Sequence, residues 1–429
     1  MKKSAPEYFI KFVSILIIAV LLRQWYIDIV NYPNLYSDVT LYESFGISDW
    51  LINYQGGFVR RGLFGELLYQ IYQVCPFSVV DLIIAISVVS LIVLFVVCLW
   101  LFRKMDWPVW LLLFPMFFYY SFYGLGSGAI GSRRDAIMLL LAVLLYMTLK
   151  KCMTHHNRPC LVLWGLTVLI MLLHEGMLFP VFPILIVFSW YYYKSLSLKG
   201  KILQLLLLWW PFPVMLIFVS QFHGSLQTAE AIWNSWKPLF ESYPLQGTPS
   251  TMGLGVEGLL MPLGEAVNMC LNLSWRTNFV GKVPIWPFNI YLLLAIYYLL
   301  TQMGMFSTGK LKFDAVQMSS IVILQTFFTL PLLGFIACDW LRFIPYYCIL
   351  SCFLYYTFQD HDFFPKWLNS VSMKAQEFIG HSKFFSSPWT YCVVLIFLPL
   401  LHHNARIGGI LPFIPLDLKH ELLEMLMCL

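Results

Sequence analysis

Residues 31–66 read NYPNLYSDVTLYESFGISDWLINYQGGFVRRGLFGE. The stretch carries Asp38, Glu43, Asp49, Arg60, Arg61 and Glu66 in a chain that has few charges elsewhere. It follows a hydrophobic run and is punctuated by glycine, so it reads as an amphipathic segment lying on one face of a membrane. The sequence around it is membrane material. Hydrophobic residues fill 60% of the 429 positions and charged residues only 11%, with a mean hydropathy of +0.74. Those values exclude an ordinary soluble globule.

Runs at 9–30, 79–102 and 287–301 approach or exceed the length needed to cross about 30 Å of hydrocarbon. Taking every such run as a span predicts an all-α, polytopic integral membrane protein with about eleven transmembrane helices. The spans fall near 9–30, 79–102, 108–124, 135–150, 160–174, 177–193, 203–221, 287–305, 317–337, 341–358 and 388–403. Residues 1–429 form one membrane domain, with a first outer amphipathic segment at 31–78 and one long outer loop at 222–286. The bends at 174–177 and 337–341 are tight, which predicts hairpins or re-entrant turns. Lys2, Lys3 and Lys11 open the first span and no small-residue cleavage site follows it, the pattern of a retained signal anchor. The ten Cys lie mostly in apolar runs, without a C-x-x-C pair or His/Cys spacing for zinc. No metal or cofactor is expected. The net charge of +5 is spread over many loops and indicates topology, not nucleic acid.

Lysine sets the orientation. With the N-terminus inside, the inner loops hold Lys104, Lys150, Lys151, Lys194, Lys199, Lys201, Lys310, Lys312, Lys366, Lys374 and Lys383. The outer segments hold only Lys237, Lys282 and Lys419. This is the positive-inside pattern. Arginine departs from it. Apart from Arg103 and Arg158, the arginines fall on or near the outer side: Arg23, Arg60, Arg61, Arg133, Arg134, Arg276, Arg342 and Arg406. A planar, permanently charged fork suits phosphate and carboxylate, where lysine offers a point charge.

Four outer motifs carry the charge. They are GGFVRRG at 56–62, with Asp38 and Asp49 upstream; GLGSGAIGSRRD at 124–135, holding Arg133, Arg134 and Asp135; HEG at 174–176; and DWLRF at 339–343, holding Asp339 and Arg342. The second has glycines but no βαβ context, so it is no dinucleotide fingerprint. Its glycines could instead let backbone N–H groups approach an anion at a helix start. Each motif also has a local reading. Asp339 and Arg342 can neutralise each other, Arg134 with Asp135 can cap a helix, and Arg60 with Arg61 can snorkel from an interfacial helix. Ionisable residues at membrane depth are nonetheless functional candidates, and four clusters on one face point to a shared site. In the long loop, Trp233, Trp236, Trp275 and Trp286 read either as a headgroup belt or as a lid facing sugar rings, with Trp275–Arg276 the best placed.

An outer cavity rich in Arg, with carboxylates and a His, suits a polyprenyl-diphosphate-linked glycan: tail in the bilayer, diphosphate on Arg, sugars in water. In glycosyl transfer, Arg60, Arg61, Arg133, Arg134, Arg276 and Arg342, helped by Asp135 and Asp339, would bind substrate and stabilise the leaving diphosphate. Glu175 is the first candidate for the base that deprotonates the acceptor hydroxyl, with His174, Asp38 and Asp49 next.

The first span, the acidic segment with Asp38 and Asp49, and the amphipathic stretch after them resemble the first outer loop of GT-C-type membrane glycosyltransferases. The span pattern and the strings GGFVRRGL, SRRDA, HEG and DWLRF are similar to bacterial O-antigen and capsule polymerases of the Wzy type. That resemblance implies a GT-C-like fold and polymerisation of undecaprenyl-diphosphate-linked repeat units, without a nucleotide sugar, at the periplasmic face of the inner membrane. It also implies other polysaccharide-assembly proteins as partners. One departure is that the largest outer loop sits mid-chain and carries a single Arg, Arg276. Three alternatives stay open: a lipid-linked glycan flippase, a membrane O-acyltransferase using His174, and a non-catalytic assembly subunit. A flippase would place charges near the midplane and repeat its topology, whereas the span centres here are almost uncharged.

Overall fold

In a computed structural model of the chain, the described residues are 40–75, 77–102, 134–154, 160–242, 249, 251–272, 286–306, 313–336, 340–359 and 364–397, with 5, 6, 8, 9 and 12. Among them every regular element is helical. The longer helices are α1 (Gly62–Val74), α2 (Val79–Phe102), α3 (Asp135–Thr154), α4 (Leu161–Leu173), α5 (Leu178–Tyr192), α6 (Leu198–Trp209), α7 (Pro211–Gln221) and α8 (Leu226–Ser235). They continue as α9 (Lys237–Ser242), α10 (Leu263–Leu271), α11 (Trp286–Thr301), α12 (Ala315–Pro331), α13 (Trp340–Phe358), α14 (Lys366–His381) and α15 (Pro388–Phe397).

Four helical stretches among the described residues are long and apolar enough to cross a membrane: Val79–Trp100, Asp135–Thr154, Glu175–Tyr192 and Ala315–Ile336. The run expected as one span at 203–221 is α6 and α7, bent by 52° at Trp210; counted together they make a fifth. Pro211 has no N–H to carry the hydrogen-bond ladder across that joint. Apolar helices at Leu161–Leu173, Ile290–Met305 and Tyr346–Phe358 are shorter than a full span. The expected spans 9–30 and 108–124, and the end of 388–403, lie largely or wholly outside the described residues. The structure therefore supports an α-helical membrane protein, with four or five candidate spans among the described residues.

Local chemistry explains the elements. α2 is almost wholly apolar, and the hydroxyls of its buried Ser87 and Ser90 donate back to the carbonyls of Ile83 and Ile86, so these two polar groups are satisfied within the helix. Val89, Ile92, Val93 and Val96 stay exposed along it, as a lipid-facing helix requires. Asp314 caps α12 by accepting from the N–H groups of Val316 and Gln317. Beyond Pro331, α12 runs on into a π turn at Leu332–Ile336. The expected tight turn after α4 is a 3-10 turn, Glu175–Met177, leading directly into α5.

The bundle has two distinct ends. Tyr346, in the second turn of α13, meets Asp135 at the start of α3, near the Glu175 turn. Phe188, late in α5, packs on Phe358 and Phe364 at the other end. Lys150, Lys151, Lys194, Lys199 and Lys201 follow the helices to that second end, and α14 with Lys366 and Lys374 lies there too.

Over the first end sits a cap made of 40–75 and the described residues of 222–260. Among the described residues of the expected loop 222–286, most are helical: α8 is capped by Ser225, whose hydroxyl accepts from Thr228 N–H. Trp50 and Trp236 are completely buried between the two halves. Trp236 stacks against Tyr69 and Tyr72 and donates to the Leu51 carbonyl at 2.8 Å, a core role and neither a headgroup belt nor a lid. Asn53 donates to Ser235 at 2.8 Å, and Gly255 N–H to the Ser48 hydroxyl at 2.7 Å. Two glycines permit the close approach. A Cβ on Gly65 would lie 1.9 Å from the Ile52 carbonyl oxygen, and one on Gly255 would lie 2.4 Å from Asp49 N.

Gly65→Ala must therefore push backbone against backbone and is expected to destabilise by at least about 2 kcal/mol. Gly264→Ala, in α10 with open space around it, is expected to be neutral or slightly stabilising. Thermal unfolding of the two purified variants checks the contrast.

Candidate functional site

The site forms where the cap meets the first end of the bundle. Asp49 begins a 3-10 turn, Asp49–Leu51, and is fully packed beneath the Gly253–Gly255 loop. Arg60 and Arg61 lie between the Gly56–Gly57 turn and α1. Arg61 has φ +66°, the only non-glycine residue in the left-handed region among those described. That conformation costs a residue with a Cβ roughly 1–2 kcal/mol. Here it turns the chain into α1 and lets two adjacent guanidiniums reach one carboxylate.

That carboxylate is Glu175. Arg61 donates to it through Nε, at 2.8 and 2.9 Å, and through a second short contact from its terminal nitrogen. Arg60 approaches the same carboxylate at 3.1 Å. Below them, the completely buried Arg134 pairs with Asp49, with Nε 3.0 Å from Oδ2, and donates to the Arg61 carbonyl at 3.0 Å. Arg61 also lies 3.8 Å from Asp49. Five side chains from three of the sequence motifs thus form one continuous ion network. Its floor, Asp49–Arg134, is closed to water, whereas Arg60, Arg61 and Glu175 are each about one-fifth exposed. Glu175 also sits at the N-terminal end of its helical stretch, where the helix dipole favours an anion.

Burial alone would raise the Asp49 carboxyl, but the Arg134 and Arg61 cations outweigh it and hold it well below the usual aspartate range. Burial and the Arg61 cation pull Arg60 below its ordinary value, with Glu175 opposing them; a guanidinium so placed stays charged at physiological pH. Arg60 Nε is buried with no hydrogen-bond partner among the described residues, a donor that a ligand oxygen could take.

The remaining candidates divide. His174 is buried, and its Nδ1 accepts from Gly176 N–H at 3.0 Å. The neutral ring then carries its proton on Nε2, so in this arrangement His174 shapes the turn that presents Glu175. Asp135 accepts from the Tyr346 hydroxyl at 2.6 Å, while Arg134 reaches across to Asp49. Asp38, Arg133, Arg276 and Asp339 lie outside the described residues. Arg342 has its backbone in α13, and its side chain is not described. Sequence reasoning missed Tyr346, and also the Gly258 carbonyl, which accepts from Arg60 at a long 3.5 Å; nothing in either stretch marks it as a partner. No group of three or more His, Cys, Asp and Glu side chains among the described residues is arranged to hold a metal ion. Compared with known protein families, curated proteins and solved structures, the chain matches none.

Removing one member of a buried pair strands the other, a loss of about 3–5 kcal/mol. Arg134→Met is expected to destabilise by that order, and Asp49→Leu added to it to restore most of the loss. The depressed Asp49 carboxyl contributes stability that is complete above the unfolded value near 4 and is lost as pH falls through the lower folded value. In Tm measurements from pH 7 to 3, Asp49→Asn is expected to lower the neutral plateau and flatten the acid fall.

Proposed function

We propose that the chain is a membrane glycosyltransferase, of the polymerase kind, that joins polyprenyl-diphosphate-linked sugar units at the face carrying Arg60, Arg61 and Glu175. The observation that supports this most is the double guanidinium grip on one partly exposed carboxylate at the rim of an apolar bundle. A fork that grips a carboxylate matches a phosphate oxygen equally well. A lipid-linked substrate is anchored by its tail at the height where this fork sits. In this reading the membrane is the bacterial inner membrane, the N-terminus is cytoplasmic and the cluster faces the periplasm, as in the Wzy-type and GT-C-type enzymes that the sequence resembles.

Glu175 holds the place of the substrate anion. When the diphosphate arrives, Arg60 and Arg61 transfer their hydrogen bonds to it, and the spare Arg60 Nε–H adds a further donor. Freed of the guanidiniums, the Glu175 oxygens can accept the proton of the acceptor hydroxyl. That oxygen bonds to the anomeric carbon, the bond from this carbon to the diphosphate oxygen breaks, and the electron pair leaves on diphosphate, stabilised by the Arg pair. Asp49 and Arg134 do not touch substrate; they fix Arg61. Arg133, Arg276 and Arg342 remain further binding candidates with Asp135 and Asp339, and Asp38 a further candidate base.

Binding of undecaprenyl diphosphate to the full chain in nanodiscs tests this scheme. Arg61→Lys keeps the charge but loses the fork, and is expected to weaken binding about tenfold, one charge-assisted hydrogen bond being worth about 1.5–3 kcal/mol. Glu175→Gln removes the internal competitor and is expected to bind more tightly while losing chain extension, read as surface-glycan length in a strain lacking the gene. Unchanged binding in both variants would sink the scheme. Lipid-linked precursor trapped inside, with no surface units at all, would point to transport.

A further inference from the structure

At the end of the bundle opposite the ion network, α14 is amphipathic in an unusual way. One stripe, Leu368, Ser372 and Ile379, is buried. Around it, Ser320 bonds Ser372 at 2.8 Å and Asn369 at 3.2 Å, while Gln376 bonds Gln302 at 2.7 Å and Tyr297 at 3.2 Å. These partners lie within two turns of the start of α12 and the end of α11, so α14 is fastened across the ends of two bundle helices. The adjacent stripe, Trp367, Val371, Lys374 and Phe378, repeats at i, i+4, i+7 and i+11, a second ordered face of the helix. It stays largely exposed: Trp367 is 61% exposed, and Phe378, which meets the ring of Phe385 in the following turn, 68%. The turn after α14 adds Phe384 and Lys383, both exposed, and α15 begins with exposed Trp389.

We propose that this face of α14 lies in the headgroup layer of the bilayer and binds anionic phospholipid. Three observations choose lipid over a protein partner. The stripe adjoins the start of α12, a candidate span, and the end of the apolar helix α11, the level at which a bilayer surface would lie. Trp and Phe mixed with Lys is the chemistry of an interfacial helix, rings at the acyl boundary and ammonium groups among phosphates. Along α14 and the turn after it, Lys366, Lys374 and Lys383 outnumber the one carboxylate, Glu377, and the exposed His381 follows, an excess of cations suited to acidic headgroups. The substrate-face network and this face would then fix the two surfaces of the membrane independently.

Hydroxyl-radical footprinting of the full chain, one copy per nanodisc of phosphatidylcholine and phosphatidylglycerol, tests the proposal. Each side chain is compared with itself in the unfolded chain. Trp367 and Phe378 are expected to be modified severalfold less in the disc. Met373 is exposed but more than a third of a turn round the helix from Phe378, and is expected to stay reactive. Trp367 and Phe378 as reactive as Met373 would show water on this face and overturn the proposal. In a second measurement, Lys374→Gln and Lys383→Gln are each expected to weaken phosphatidylglycerol retention about fivefold, a lysine at the surface being worth about 1 kcal/mol. Retention equal to wild type in the double variant would overturn the anionic preference.

Discussion

The structure depends on a constraint that charge at the edge of a membrane cannot be left unpaired. Arg134, at the start of a spanning helix, is completely buried, and a buried cation without a partner would cost several kcal/mol. Its partner, Asp49, arrives from 85 residues earlier in the chain. That contact ties the cap to the bundle alongside the grip on Glu175, and Arg134 also holds the carbonyl of Arg61. The left-handed turn at Arg61 persists because carbonyl and guanidinium are both anchored. The grip on Glu175 follows from it.

This organisation separates two kinds of charge that look alike in sequence. Asp49 and Arg134 neutralise each other out of reach of water, and their work is positional. Arg60, Arg61 and Glu175 form the same type of contact at a partly open rim, where another anion can compete. A buried pair is weak evidence for added stability, but here it fixes the geometry of the exposed one. The proposed chemistry uses only that exposed set, and its energetics come from exchanging one anion for another on a prearranged fork.

Much of this was legible in the sequence. α2 and α3 follow from uninterrupted apolar runs, and the turn at Glu175 from an HEG string between two such runs. Asp49, Arg60, Arg61, Arg134 and Glu175 stood out as charges where the membrane disfavours them. Their pairing did not. Neighbours in sequence suggested Arg134 with Asp135, whereas the fold joins Arg134 to Asp49 and Arg61 to Glu175, 114 residues apart; no local spacing encodes contacts of that range. Apolar runs do not translate one to one into spans: α4 is shorter than a full span, and α6–α7 is a bent pair. The loop at 222–260 hid its helices because Gly, Pro and Trp read as irregular, although Ser225 and Thr228 spell a cap. The lysines of α14 read as an inner loop, although the i, i+4, i+7, i+11 stripe of a helix is present in the same residues.

The central claim is that distant motifs make one coupled ion network, and a double-mutant cycle between Arg61 and Glu175 addresses it most directly. Arg61→Gln, Glu175→Gln and the double variant would be compared by thermal unfolding of the full chain in nanodiscs. The account predicts a coupling of about 1–3 kcal/mol, with the double variant much less damaged than the sum of the singles. Losses that add to within about 0.5 kcal/mol would mean that the two residues act independently, and would contradict it.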